Sequence, residues 1–303
     1  MLTAPVRAMP GLPPRLQRRL RTAFRLLSAF NPRLAAKLAL RLFMTPGSRR
    51  IDPREAQFLA TARAVPLRTS GNRIQAYEWA GTGPAVLVVH GWISHAARMA
   101  DAINALRGRG LRVVAFDAPA HGRSAGRRAD LYDFCEAINA VSAACGPIRG
   151  LLAHSFGALT TVSWLAETKP EAIKAVVLVG LPRDVGYIFE SFALALALRA
   201  DVVAHARELF LRRYGGYPEQ YASPALASQL RMPVLLIHGG ADEFVPADQA
   251  VEVSEQLIDG KLLVLADLRH SEPLHDANTV EAMADFLASR LPAAARADGP
   301  GPA

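Results

Sequence analysis

The chain has 303 residues, 51% of them hydrophobic and 20% charged, so a sizeable buried core is expected and wholesale disorder is excluded. Its two cysteines, Cys135 and Cys145, lack partners at disulfide-framework or metal-ligand spacing, which excludes a disulfide scaffold and a zinc motif. The net charge of +8 is uneven: residues 1–63 hold 13 Lys/Arg against Asp52 and Glu55, net +11, and the other 240 carry 22 basic and 25 acidic groups, net −3.

After a Pro-rich start, residues 14–30 place Leu16, Leu20, Ala23, Phe24 and Leu27 on one helical face and arginines on most of the other. Asn31-Pro32 restarts a helix, with Asn as cap and Pro in the first turn. That helix runs to about Met44; its only charges, Arg33, Lys37 and Arg41, form one stripe, so it is expected to be largely covered. A short helix over 53–63 follows. Residues 65–69 and 73–79 then read as two strands around a Ser70-Gly71-Asn72 turn.

From there strand and helix alternate: strand 85–90, helix 96–106, strand 112–116, helix 131–144, strand 148–153, a helix after Ser155, then strand 175–180. After a gap come strand 233–238, helix 247–257, strand 261–266 and helix 278–291. Short apolar strands without polar alternation are covered on both faces, which predicts an α/β fold with a doubly wound, mostly parallel sheet. The alternation breaks at 181–232, a stretch of helical character in which Phe189, Phe192, Ala193 and Leu196 share a face and Tyr187, Tyr214, Tyr217 and Tyr221 add aromatic surface. Residues 293–303, rich in Ala, Gly and Pro, are expected to be disordered.

Ser155 stands between the apolar run 150–153 and a helix beginning near Phe156. Such a sharp corner lifts a hydroxyl clear of the sheet and sets the Phe156 N–H beside it at a helix N-terminus; capping that helix is the plainer use of the same serine. A nucleophilic serine needs a histidine to take its proton and a carboxylate to orient the histidine. In an open α/β sheet these gather at the carboxyl ends of later strands. Asp242 and Glu243 follow one such strand; His270, with His275 close behind, follows the next.

Ala153-His154-Ser155-Phe156-Gly157 resembles the nucleophile elbow Gly-x-Ser-x-Gly of the α/β-hydrolase family, with Ala153 in place of the first glycine. Three further segments resemble that family: His90-Gly91-Trp92, Asp117-Ala118-Pro119-Ala120-His121-Gly122-Arg123-Ser124, and His238-Gly239-Gly240-Ala241-Asp242-Glu243-Phe244-Val245-Pro246. The resemblance covers about 65–291 and implies a triad of Ser155, Asp242 and His270, with Glu243 as fallback acid and His275 as competing histidine. It also implies an oxyanion hole from the Trp92 and Phe156 N–H groups. Arg269, where the family usually has glycine before the histidine, and Ala120, in place of a turn glycine, are departures. Asp117 and His121 read as turn-building residues, and His154 as packed.

The expected organisation is a basic amphipathic helical extension at 1–64, an α/β-hydrolase core at 65–180 and 233–292, and a helical cap at 181–232. The resemblance implies a serine hydrolase acting on a small-molecule carboxylic ester through an acyl-enzyme, without cofactor or metal. A thioesterase, a carbon–carbon bond hydrolase and a non-catalytic binding protein on the same fold are the alternatives. Phe189, Phe192 and Leu196 are candidate substrate contacts. Nothing suggests nucleic-acid binding, because the globule is mildly acidic. Cytoplasmic location is expected, since no run reaches the about 18 apolar residues of a membrane span and arginines interrupt the N-terminus before a signal-peptide core forms. Residues 14–44 have the pattern of a segment lying on the inner face of a membrane, or packing on the core or on a second subunit of a homo-oligomer.

Overall fold

The computed structural model describes residues 13–47, 50–216 and 218–291. The Pro-rich start, Tyr217 and the 293–303 tail lie outside the described residues. The chain opens with an α-helical hairpin, α1 (Pro14–Phe30) and α2 (Pro32–Phe43). Asn31 forms the joint: its Oδ1 accepts the Leu34 N–H at 2.9 Å while Pro32 starts the first turn of α2. Helix α3 (Pro53–Ala60) begins in a reciprocal Asp52/Glu55 capping box.

Strands β1 (Arg63–Arg68), β2 (Arg73–Trp79) and β3 (Ala85–Val89) follow, then a 3-10 turn Ala96–Met99 running into α4 (Ala100–Gly108). Next come β4 (Arg112–Asp117), α5 (Leu131–Cys145), β5 (Ile148–His154), α6 (Phe156–Thr168) and β6 (Ala175–Val179). Helices α7 (Val185–Ala195), α8 (Ala200–Tyr214) and α9 (Ser223–Ala227) fill the break in the alternation. The chain closes with β7 (Val234–Gly239), α10 (Ala247–Ser254), β8 (Gly260–Leu265) and α11 (Ala277–Arg290). Among the described residues no helix is long and apolar enough to cross a membrane.

All eight strands form one sheet in the order β1-β2-β4-β3-β5-β6-β7-β8, antiparallel at β1/β2 and β2/β4 and parallel from β4 onward. Side chains alternate across a strand, and in the central strands both faces are buried. Leu87, Val89, Leu151 and Ala153 point into a core shared with α5 and α6, and Val86, Val88, Leu152 and Val177 into one shared with α4 and α11. This is why the strands read as unbroken apolar runs. The strand order reverses beside β3, and the carboxyl ends of β3 and β5 open a crevice there.

Three local expectations change. The third helix stops at Ala60 and β1 starts at Arg63, because Arg63 and Ala64 already pair with Glu78 and Tyr77. The 96–106 helix opens as a 3-10 turn, where a buried Asp117 carboxylate holds the Ala96 N–H at 2.9 Å. Helix α2 is covered only on its alanine side: Ala35, Ala36 and Ala39 are buried, while Leu34 and Leu38 stay more than 40% exposed. A separate cluster joins the hairpin to the 181–232 segment, with Phe24 and the three alanines against Phe189, Phe192, Leu196, Val202 and Ala206. The N-terminal extension is thus packed on α7 and α8.

Candidate active site

Ser155 occupies the corner between β5 and α6 with φ 55° and ψ −124°, a backbone region that a side chain enters only under strain. Its own N–H is held by the Val179 carbonyl at 2.8 Å. Gly157 is obligatory: a Cβ there would stand 2.3 Å from the His90 carbonyl oxygen. Ala153 needs no such allowance; it sits fully buried within β5, in register with Val89 and Leu178. Phe156 is the first residue of α6, so its N–H is among the donors that a helix start leaves without an intrahelical partner.

Asp242 lies in the turn after β7 with its side chain fully buried. Oδ1 accepts the Phe244 and Val245 N–H groups at 2.8 and 2.9 Å, and Oδ2 accepts His270 Nδ1–H at 2.6 Å. Burial opposes the charged carboxylate, but hydrogen bonds from His238, His270 and the Val245 N–H outweigh it and hold the pKa far below the usual carboxylate range. On its other side His270 Nε2 accepts from Ser155 Oγ at 2.8 Å. The structure therefore joins Ser155, His270 and Asp242 in one line of hydrogen bonds. Glu243 has no part in it, and His275 turns away to pair with Asp101 at 2.7 Å on the surface.

The shell around His270 is tight. Phe244 meets its ring edge-on at 5.6 Å between centroids, and His154 lies 4.9 Å away and donates Nε2–H to the His270 carbonyl at 3.2 Å. Burial keeps His154 neutral, with a pKa down at about 3. Arg269 is tolerated in place of glycine because its side chain points to solvent, its φ is not positive, and its N–H caps onto Glu272 at 2.7 Å. Ala120, the other departure, takes φ 64°, where glycine is free of strain.

The loop after β3 lies against the serine. A Cβ at Gly91 would be 3.0 Å from Ser155 Cβ, so only glycine lets this backbone come so close. His90 builds the loop: Nδ1–H donates to the Gly91 carbonyl at 2.7 Å and Nε2 accepts the Ala118 N–H at 3.0 Å. Burial keeps that ring neutral too, with a pKa of about 4. Trp92 then packs edge-on against Phe156 at 5.2 Å. Asp117 is fully buried and takes N–H or O–H donors from Ala96, Tyr77 and Arg123, which fixes the neighbouring turn.

Ser155 and His270 open into a cavity of about 620 Å³ lined mostly by apolar side chains. Phe192 lines it. Phe189 and Leu196 do not: they are buried in the cluster between α7 and the hairpin. The rest of the roof comes from Tyr187, Phe210 and Tyr214, and from the hairpin's Leu16, Leu40, Leu42 and Phe43. The hairpin's share was not read from the sequence, because helical periodicity shows that residues share a face and is silent on what that face covers. Phe43 is fixed there by edge contacts to Phe189 and Phe192, both at 5.3 Å. Among the described residues no cluster of His, Cys, Asp and Glu could hold a metal.

The family model described as serine aminopeptidase, S33, matches residues 82–204, the stretch from before β3 through the elbow into α8. An esterase of Pyrococcus furiosus, Pf2001, superposes with a TM-score of 0.63 at 21% identity, covering 81% of this chain and 99% of that one. The chain has the α/β-hydrolase fold. Within the α/β-hydrolase fold, the thioesterase domain from the curacin biosynthetic pathway is also similar, with TM-score 0.56, 20% identity, and coverage of 74% of this chain and 98% of that one. The uncharacterized protein Rv2307c of Mycobacterium tuberculosis is 28% identical over 211 residues, 64% of this chain and 65% of that protein. The chain thus spans just under two thirds of that relative's length.

Proposed function

We propose that this α/β-hydrolase chain cleaves carboxylic esters with a lipophilic acyl or alcohol part through an acyl-enzyme. The observation that carries the reading is the pair of contacts on His270: Nε2 to Ser155 Oγ at 2.8 Å and Nδ1 to Asp242 Oδ2 at 2.6 Å. With Nδ1 protonated and held by the carboxylate, the Nε2 lone pair faces the serine proton. Ser155 Oγ attacks the ester carbonyl as its proton passes to Nε2, and the Trp92 and Phe156 N–H groups receive the oxyanion. Each such donor contributes about 10²–10³ in rate. The imidazolium, stabilised by Asp242, returns the proton to the departing alcohol. Water then gives a proton to His270, attacks the acyl carbon and releases the acid, restoring Ser155. The apolar cavity beside Ser155 supports a lipophilic substrate.

Thioester cleavage uses the same groups and is the second reading, supported by the similarity to a thioesterase domain. The test is a panel of p-nitrophenyl esters and acyl thioesters of graded chain length, run on the wild type and on Ser155→Ala. The proposal expects turnover of medium-chain esters that the variant lacks. Equal turnover by a folded Ser155→Ala protein overturns it.

A further inference from the structure

The hairpin has more apolar surface than its packing uses. Stepping 100° per residue around α1, Phe24 and Ser28 fall on the buried side, while Leu16, Leu26 and Phe30 carry the apolar arc on into solvent, 44%, 56% and 87% exposed. On α2 the alanines are buried and Leu34 and Leu38 face outward beside the stripe Arg33, Lys37 and Arg41. Between Pro13 and Ile51 the sequence has no acidic residue, and the two helices hold eight Lys/Arg. An apolar ridge set among unopposed cations suits the interface of an anionic bilayer, where leucine and phenylalanine enter the acyl boundary and the cations meet headgroup phosphates. An identical face of a second copy fits worse, since its cations would meet cations.

A second observation ties this face to the cavity. Leu16 belongs to the exposed arc and also lines the cavity that holds Ser155, so this one side chain borders both the exposed face and the cavity. We propose that the outer face of the hairpin, Leu26, Phe30, Leu34 and Leu38 with the flanking cations, docks on an anionic bilayer, and that lipophilic substrate passes from the bilayer into the cavity past Leu16. The docking stands on the surface alone; the substrate route rests on the hydrolase reading.

The test is co-sedimentation of the full chain with phosphatidylcholine vesicles and with vesicles containing phosphatidylglycerol. The proposal expects at least about tenfold tighter binding to the anionic vesicles, falling about tenfold or more between roughly 0.05 and 0.5 M salt. Phe30→Glu/Leu34→Glu should bind about tenfold more weakly, since both an apolar anchor and the charge balance are lost, with its thermal melt and its turnover of a short soluble ester unchanged. Equal binding to both vesicle types, no binding to either, or wild-type binding by the double variant overturns the docking. So does a wild-type dimer, seen by light scattering, that the double variant dissolves. Vesicle binding as expected with no ester turnover by any form keeps the docking and rejects the hydrolase reading.

Discussion

Replacing Asp242 by asparagine exchanges one carboxylate oxygen for an NH₂ group and should remove nearly all activity while leaving the fold in place. The direction follows from the hydrogen bonds around the carboxylate. Oδ1 accepts two backbone N–H groups, from Phe244 and Val245. An asparagine must keep its carbonyl oxygen there, because its NH₂ would collide with two donors. The NH₂ is then forced toward His270 Nδ1, where the carboxylate now accepts at 2.6 Å. Facing a donor, Nδ1 becomes the acceptor and the ring proton moves to Nε2. That nitrogen sits 2.8 Å from Ser155 Oγ and can no longer take its proton. A wrong tautomer of this kind costs about 10⁴ in kcat, or about 5.4 kcal/mol at 1.36 kcal/mol per tenfold. The assay is kcat and KM on the best ester of the panel, with a thermal melt to show that the variant is folded. A folded Asp242→Asn enzyme within tenfold of wild type would refute the reasoning.

His270→Ala should lower kcat by several orders of magnitude, whereas His275→Ala, whose ring only pairs with Asp101 on the surface, should stay within about threefold; the reverse result in the same ester assay would move the base five residues along. Phe192→Ala should shift the preferred acyl length, since Phe192 lines the cavity, while Phe189→Ala should cost about 3–5 kcal/mol of stability at an unchanged profile; denaturant melts and the ester panel separate the two, and matching profile shifts would contradict the assignment. Stability should fall as the pH falls below about 6.5. His90, His121 and His154 are held neutral by burial, with pKa values of about 4, 3 and 3, so below 6.5 the unfolded chain binds protons that the folded one refuses. Each adds a slope of about 1.4 kcal/mol per pH unit in that window. Urea titrations at pH 7.5, 6.5 and 5.5 measure it, and a flat or rising stability toward acid would contradict it.

The parts of this molecule legible in the sequence are those whose local chemistry admits few alternatives. Unbroken apolar runs in β3, β6 and residues 150–153 of β5 can be covered only on both faces, which dictates helices on either side of a parallel sheet. Gly91 and Gly157 stand where a Cβ would strike backbone, so the glycines beside Ser155 carried information. What the sequence left hidden is long-range. Phe189, Phe192 and Leu196 share one face of a helix, yet only Phe192 reaches the cavity, because the hairpin covers the other two. Phe43 and Leu16 lie more than a hundred residues before Ser155, in a segment whose composition resembles an independent basic attachment. Their place in the roof follows from Ala35, Ala36 and Ala39, small enough to let α2 lie close on α8. Helix α2 is expected from its sequence to be largely covered outside its charged stripe, yet Leu34 and Leu38 beside that stripe are exposed and form the ridge from which bilayer docking is inferred.

The central claim is that Ser155 is an activated nucleophile, and covalent labelling tests it most directly. A fluorophosphonate reacts at useful rates only with a serine whose proton is being withdrawn by a neighbouring base. The account predicts a single adduct on wild-type protein that peptide mass spectrometry places on Ser155, that is absent from Ser155→Ala, and that forms at least about a thousandfold more slowly in His270→Ala. An unlabelled wild type, or an adduct on any other serine with Ser155 unmodified, would contradict it.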